Sequence, residues 1–477
     1  MEKKIRWYDY ITINIYFFAL TARSQTLTPL ILPLLVQQFI GDETKGTAYG
    51  NMRLWSLMIA LLVQALFGLL SDRSTSKLGK RRPYIMAGAL LEVLIYIAIG
   101  VIASTLEGTT GYWALFGAIM VSMVFSNIAH GAAQGLIPDL VPEDKRGRFS
   151  GFKALFELPA PLIFVSFVIS KMVSAGNIWG ALIVLIIVVV ACMLLTMLVR
   201  ETPQQQAPFP MDWKAYGGLV LMTAVFTLVI LGVGQLVKLA IGWADTLPLT
   251  QGFVVTAIAG VLGMAVAVGI GVWASLKISL GRDASRNSSF VWWVINRLAF
   301  LVGATNLASF VLYFIQERFP EMAGAAAAGP TAMLTMFVGV AILIASLPAG
   351  WLTDKFGKKP LVAFAGLLSA VGTILVVLAP GMTMLYVGGL LIGIGMGIFY
   401  SANWALGTAI VPPEQAGRYL GLSNLAGAGA GAIGAYIGGP IGDGKGYILL
   451  MGIFGFLFLI STFALFGIKE PAKVVGE

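Results

Sequence analysis

Two residue types that build covalent and metal frameworks are nearly missing: Cys192 and His130 are the single cysteine and the single histidine in 477 residues. A disulfide needs two cysteines and a structural zinc site needs several such ligands, so neither is expected. Charge is scarce as well. Charged residues make up 11% of the chain, against roughly 25% in a soluble domain, while hydrophobic residues reach 58%. A soluble fold of this length has no interior large enough for that much apolar surface. The net charge of +9 comes from basic residues scattered between apolar runs, so no nucleic-acid partner is expected. No nucleophile–base set or metal-ligand cluster is recognisable, which argues against an enzyme and against any metal or cofactor. The glycines at 393, 395 and 397 follow no strand and read as close helix packing, not as a nucleotide loop.

What is present is a succession of charge-poor apolar runs, each long enough to cross about 30 Å of hydrocarbon as a helix. They fall at 10–38, 47–71, 83–104, 112–137, 149–173, 178–199, 215–237, 251–276, 290–315, 330–351, 361–378, 384–411, 418–441 and 447–468, about fourteen spans. The lipid bilayer is therefore the expected solvent. Placing the N-terminus in the cytoplasm puts Arg73, Lys77, Lys80, Arg81, Arg82, Lys145, Arg146, Arg148, Lys355, Lys358 and Lys359 on that side. Only Lys45, Lys171, Lys238, Arg318 and Lys445 then face outward. A multi-pass monomer of the plasma membrane with both termini cytoplasmic is expected.

Two landmarks recur. Gly68-Leu69-Leu70-Ser71-Asp72-Arg73, continuing to Gly79-Lys80-Arg81-Arg82-Pro83, is echoed by Gly350-Trp351-Leu352-Thr353-Asp354-Lys355, continuing to Gly357-Lys358-Lys359-Pro360. The run from Val141 to Gly151 aligns without a gap to the run from Val411 to Gly421. Matched landmarks in one order imply a duplicated six-helix unit, an arrangement used by transporters with a midplane site. The chain is thus read as an N-terminal bundle at 1–200, a linker and inserted helical hairpin at 201–289, and a C-terminal bundle at 290–477.

These loops resemble the signature of the major facilitator superfamily, Gly-x-x-x-Asp-Arg followed by glycine and basic residues. The longer form through Arg82-Pro83-Tyr84, with Thr26-Leu27-Thr28-Pro29 in the first span, resembles the glycoside-pentoside-hexuronide:cation symporters and the sucrose-transporter-like branch. The resemblance implies an all-α membrane protein with the facilitator fold, two six-helix bundles related by a pseudo-two-fold axis plus the hairpin. It further implies alternating access, with a cytoplasmic gate at Asp72 and Arg73, Asp354 and Lys355, and Arg148 and Arg418 of the second landmark. The plainer reading makes the basic loops orientation signals only. The symporters' acidic cation ligands in the second and fourth spans are absent here, which favours a proton over sodium. The fourteen-span layout also resembles drug:proton antiporters and proton-coupled peptide transporters.

Ionisable groups within spans are candidates for function. In the facilitator fold the first and fourth helices of each half line the cavity, which implicates Arg23, His130 and Arg297. Arg23 lies with Gln25 and Thr28 ahead of Pro29, where a kink is expected, and its guanidinium suits sugar hydroxyls or a carboxylate. The structural alternative is a buried ion pair with Glu157. Glu157, one turn after Lys153, is a candidate proton carrier or the lysine's structural partner. His130 forms a polar stripe with Asn127 and Gln134, for substrate, for proton coupling or for helix packing. Glu92 is read as pairing locally on an outer helix. In the second half Asn296, Asn306, Tyr400, Asn403 and Trp404 offer amide and aromatic surfaces that suit sugar rings or helix packing.

The leading expectation is a proton-coupled secondary transporter of a small solute, a sugar or glycoside. An organic anion or amphiphile carrier is the rival within transport. A non-transporting membrane sensor or scaffold is the rival outside it, although no long soluble segment is present to carry a signal.

Overall fold

Backbone N–H and C=O groups have no water to bond in hydrocarbon, so an apolar run crosses it with every group paired inside the segment. The computed structural model turns the apolar runs into helices accordingly. It describes residues 5–202, 210, 213–280, 288–411 and 416–469, with the side chains of 279–280 and 416–426 outside the description. In chain order the helices are α1 (Ile15–Thr26), α2 (Leu32–Ile40), α3 (Lys45–Asp72), α4 (Arg82–Thr105), α5 (Gly108–Ala133), α6 (Glu143–Glu157), α7 (Ile178–Met197), α8 (Trp213–Ala244), α9 (Leu249–Leu280), α10 (Ser288–Arg318), α11 (Ala328–Phe356), α12 (Lys358–Leu378), α13 (Met382–Ile410), α14 (Ala416–Lys445) and α15 (Tyr447–Ala464). Short helical turns lie between them, and no strand occurs among the described residues.

Twelve helical stretches among the described residues are long and apolar enough to cross a membrane, where the sequence presents about fourteen. The run at 10–38 is not one helix. It breaks into α1, a π-helical turn at Leu27–Ile31 and α2, with Pro29 inside the turn. Proline has no N–H to donate and its ring crowds the preceding turn, so the ladder widens there. The run at 418–441 lies in α14, whose first residues include those without described side chains.

The helices form two compact units. Unit 1 comprises Met1–Gly41, Trp55–Gly217 and Met322–Met336; unit 2 comprises Asp42–Leu54, Gly218–Glu321 and Phe337–Glu477. Within unit 1, α4 pairs with α5, and α7 packs on α1 and α4. Unit 2 is built on α10, which runs against α14 and α15 with Trp293, Phe300 and Phe310 sealed in its core. The ring of Phe300 stacks on Phe399 of α13 at 3.6 Å between centroids. From Gly218 onward, the hairpin of α8 and α9 belongs to unit 2. Asp245 pairs with Lys445 at 2.7 Å, and Lys238 lies over the Tyr436 ring.

The head of α3 also belongs to unit 2, held by a distant carboxylate. A helix leaves its first N–H groups without intrahelical partners. Here the Asp443 carboxylate of α14 accepts from Gly46 N at 2.8 Å and Thr47 N at 2.7 Å, and Tyr447 donates its hydroxyl to the same carboxylate at 2.9 Å. The two backbones run so close that a Cβ on Gly50 would overlap the Ala435 carbonyl. Asp443→Ala removes a cap and is expected to destabilise unit 2 by about 1–2 kcal/mol. Gly50→Val, which forces the helices apart, is expected to do more damage. Thermal unfolding of the purified protein in detergent measures both, and an unchanged midpoint for Asp443→Ala would refute the capping role.

Candidate functional site

Arg23 sits in α1 one turn before the π-helical segment and points into unit 1. Its Nε donates to Glu92 Oε1 of α4 at 2.5 Å, and one terminal nitrogen donates to Ser122 Oγ of α5 at 2.9 Å. Ser122 in turn donates to Glu92 at 3.2 Å. Arg23 is 8% exposed and Glu92 is 1% exposed, so this is a sealed ion pair spanning three helices. Two sequence readings are corrected here. Arg23 does not pair with Glu157, and Glu92, besides meeting Tyr96 one turn along its own helix, pairs across helices with Arg23. The reason is helical geometry: Pro159 and Pro161 open the next turn, so α6 ends at Glu157. That carboxylate stays part-exposed, 3.6 Å from Lys153 one turn back.

Tyr96 and Tyr16, both buried, interact with the pair electrostatically. His130 and Gln134 are drawn together, with Nε2 atoms 3.3 Å apart at the end of α5. Asn127 is buried and its amide donates to the Met123 carbonyl of its own helix at 2.8 Å. Gln25 is half-buried beyond Arg23, and Thr28 lies inside the π-helical turn.

Unit 2 holds a second polar cluster around Arg297 of α10. One terminal nitrogen of Arg297 donates to Asn403 Oδ1 of α13 at 3.2 Å. Its guanidinium carbon lies 5.9 Å from the Trp293 ring centre and 5.6 Å from that of Trp404, both within cation–π range. Tyr400 is on the same helix as Asn403 and Trp404, one turn earlier. Asn306 is elsewhere on α10, where its amide donates to the carbonyls of Val302 and Ala430 and ties α10 to α14.

The first signature loop forms a closed network. Asp72 is bonded to Arg81, whose Nε donates to Asp139 at 2.8 Å, and Lys80 lies 3.2 Å from Asp139 and 3.4 Å from Asp72. Glu201 accepts from the backbone N–H groups of Arg81 and Arg82 at 3.0 Å. Arg73 is outside this network and donates to the Pro210 carbonyl at 2.7 Å. Arg148 is exposed. In the second loop Asp354 is exposed and forms no ion pair among the described residues, while Lys355 lies over Trp351 at 5.1 Å. The side chain of Arg418 lies outside the described residues. Sequence reasoning missed Arg81 and Asp139 as the partners of Asp72. The repeat register carried a signal, because the position matching Asp139 in the second copy is Ala409. A cavity of about 370 Å³ between Ile5, Arg6, Asp9, Leu140, Val199 and Arg200 contains none of the expected site residues.

Comparison with known proteins agrees with this architecture. The Major Facilitator Superfamily pattern matches residues 319–476. Inositol transporter 4 of Arabidopsis thaliana is 33% identical over 94 residues, which are 20% of this chain and 16% of that transporter. A D-xylose-proton symporter superposes with a TM-score of 0.63 at 16% identity, covering 98% of this chain and 99% of the symporter. A peptide transporter POT in complex with sulfate superposes with a TM-score of 0.64 at 15% identity, covering 96% and 93%. The chain therefore has the facilitator fold and is an integral, multi-pass membrane protein.

Removing one partner of a buried ion pair leaves an uncompensated charge, at about 3–5 kcal/mol, whereas replacing both by apolar groups is close to neutral. Glu92→Leu alone is therefore expected to lower the unfolding temperature markedly, and Arg23→Leu with Glu92→Leu to restore most of it. A double variant no more stable than Glu92→Leu would show that the pair is not the stabilising contact.

Proposed function

We propose that the chain is a major facilitator transporter of the glycoside-pentoside-hexuronide:cation or sucrose-transporter-like branch. It carries a sugar or glycoside across the plasma membrane by alternating access, driven by a proton gradient, as a monomer with both termini in the cytoplasm. The fold shared with a D-xylose-proton symporter and the short match to an inositol transporter support the solute class. The signature loop, with Arg73, and the adjoining acid–base network of Asp72, Lys80, Arg81 and Asp139 support a cytoplasmic gate. Asp354, Lys355, Arg148 and Arg418 are its counterparts in the second loop and in the second landmark.

The observation that carries proton coupling is the sealed Arg23–Glu92 pair. Glu92 is the one acidic side chain buried among the described residues, and its charge is balanced by a guanidinium on the first helix. Protonating Glu92 frees Arg23 from its partner, and the two states of that contact couple proton binding to the helix that bears Gln25 and Thr28. Glu157, already part-exposed beside Lys153, and His130, near Gln134, serve as relay groups toward water. Within unit 2, Arg297, Tyr400, Asn403 and Trp404 are the solute-binding groups, braced by Asn306; within unit 1, Asn127 and Gln134 are solute-binding groups of their own.

The test is uptake of a sugar and glycoside panel into proteoliposomes under an imposed pH gradient. Accumulation that collapses with a protonophore is expected. Glu92→Gln is expected to reduce accumulation at least tenfold, while Glu157→Gln slows it. Accumulation that follows a sodium gradient, or that survives Glu92→Gln, would sink the proton mechanism. A panel in which no sugar moves would sink the solute class.

A further inference from the structure

A guanidinium inside a membrane span is tolerated when something meets its charge. Arg23 has Glu92 for that purpose. Arg297, on the first helix of the second copy, has no carboxylate: among the described residues it forms no ion pair. The repeat explains the difference. Aligning Pro83 with Pro360 puts Ser369 where the first copy has Glu92. Ser369 is fully buried, and its hydroxyl donates to the Ala365 carbonyl of its own helix at 2.9 Å. The second copy therefore keeps the cation and lacks the anion.

What surrounds Arg297 fixes the group without neutralising it. Asn403 donates its amide to Asn296 Oδ1 at 2.6 Å, which leaves Asn403 Oδ1 to accept from Arg297. Asn296 is anchored in turn, donating to the Ser461 carbonyl at 2.7 Å and to Ser461 Oγ at 2.9 Å. The Trp293 indole donates to the Asn403 carbonyl at 2.9 Å and fits only because position 407 is glycine, where a Cβ would strike the ring. Asn403 Oδ1 takes one of the five guanidinium N–H donors. The Nε of Arg297 is buried with no acceptor. A cation with its orientation set, two indoles around it and donors unused is a receptor waiting for an anion.

We propose that Arg297 anchors a carboxylate carried by the transported solute, so that the cargo supplies the counter-charge missing from the second copy. The planar fork takes both oxygens of a carboxylate side by side. One negative charge balances one guanidinium, whereas a phosphate dianion leaves a net charge in the apolar span, so the class is the monoanionic carboxylate. Trp404, 41% exposed, offers its indole face to the body of the solute. This inference rests on reading the chain as a solute carrier and narrows its cargo to acidic sugars or related acids.

The experiment measures binding to the full-length protein in detergent, by titration calorimetry and by ligand-induced thermal shift, with matched acids and neutral parents. The pairs are glucuronate with glucose, gluconate with glucitol, and benzoate with benzyl alcohol; inorganic phosphate is the dianion control. At least one acid is expected to bind ten or more times tighter than its neutral parent and tighter than phosphate. Arg297→Gln is expected to bring that ratio to about one, and Arg297→Lys to keep part of it. Asn403→Asp, which places a carboxylate beside Arg297 without removing it, is expected to abolish the acid preference in a folded protein. A ratio near one in the unaltered protein, a preference that survives Arg297→Gln, or no binding by any acid overturns the proposal. Neutral sugars bound as well as sugar acids would refute the carboxylate anchor and leave the sugar reading standing. Benzoate bound through Arg297 with no sugar acid bound would do the reverse.

Discussion

An ionic group placed among apolar helices is costly unless a partner of opposite sign or several hydrogen bonds meet it, because hydrocarbon does not screen charge. This requirement organises the molecule more than any helix propensity does. Arg23 is answered by Glu92 and Ser122, and three helices of unit 1 meet at that point. Arg81 is answered by Asp72 and Asp139, which closes the first signature loop. At the head of α3 the direction is reversed: a carboxylate, Asp443, answers unpaired backbone donors. Arg297 stands out against this background, since its setting supplies orientation and aromatic faces but no opposing charge.

The two landmarks recur in one order, and the charged residues that go with them differ between the copies. The first copy has Glu92 and Asp139; the matching positions of the second are Ser369 and Ala409. The loop aspartates differ in the same sense, with Asp72 bound into a network and Asp354 exposed. The first copy thus keeps its charges in pairs, and the second leaves one cation beside an amide chain and two indoles.

The surroundings of Arg297 also show how much packing is needed to fix the direction of one guanidinium. Its nearest acceptor, Asn403, is oriented by Asn296, and Asn296 by Ser461 of α15, so the amide chain runs across three helices. Trp293 is locked by its bond to Asn403 and by the absence of a side chain at Gly407. Such support holds the guanidinium in one geometry, the kind of preorganisation that lowers the cost of any contact it makes.

The membrane class, the helical architecture and the duplication are written in the sequence, because span length, scarcity of charge and repeated loops depend on local composition alone. The irregular turn at Pro29 was legible for the same reason, since proline acts on its own turn. Pairing was not. Arg23 seemed as well served by Glu157 as by anything else, because periodicity gives the face of a helix but neither its depth nor its neighbour. Only packing revealed that α6 ends at Glu157 and leaves its carboxylate beside Lys153, while Glu92 comes level with Arg23 from α4. The sequence determined which charges enter the bilayer. Tertiary structure decided which of them are compensated, since compensation depends on distances of a few ångströms between segments far apart in the chain.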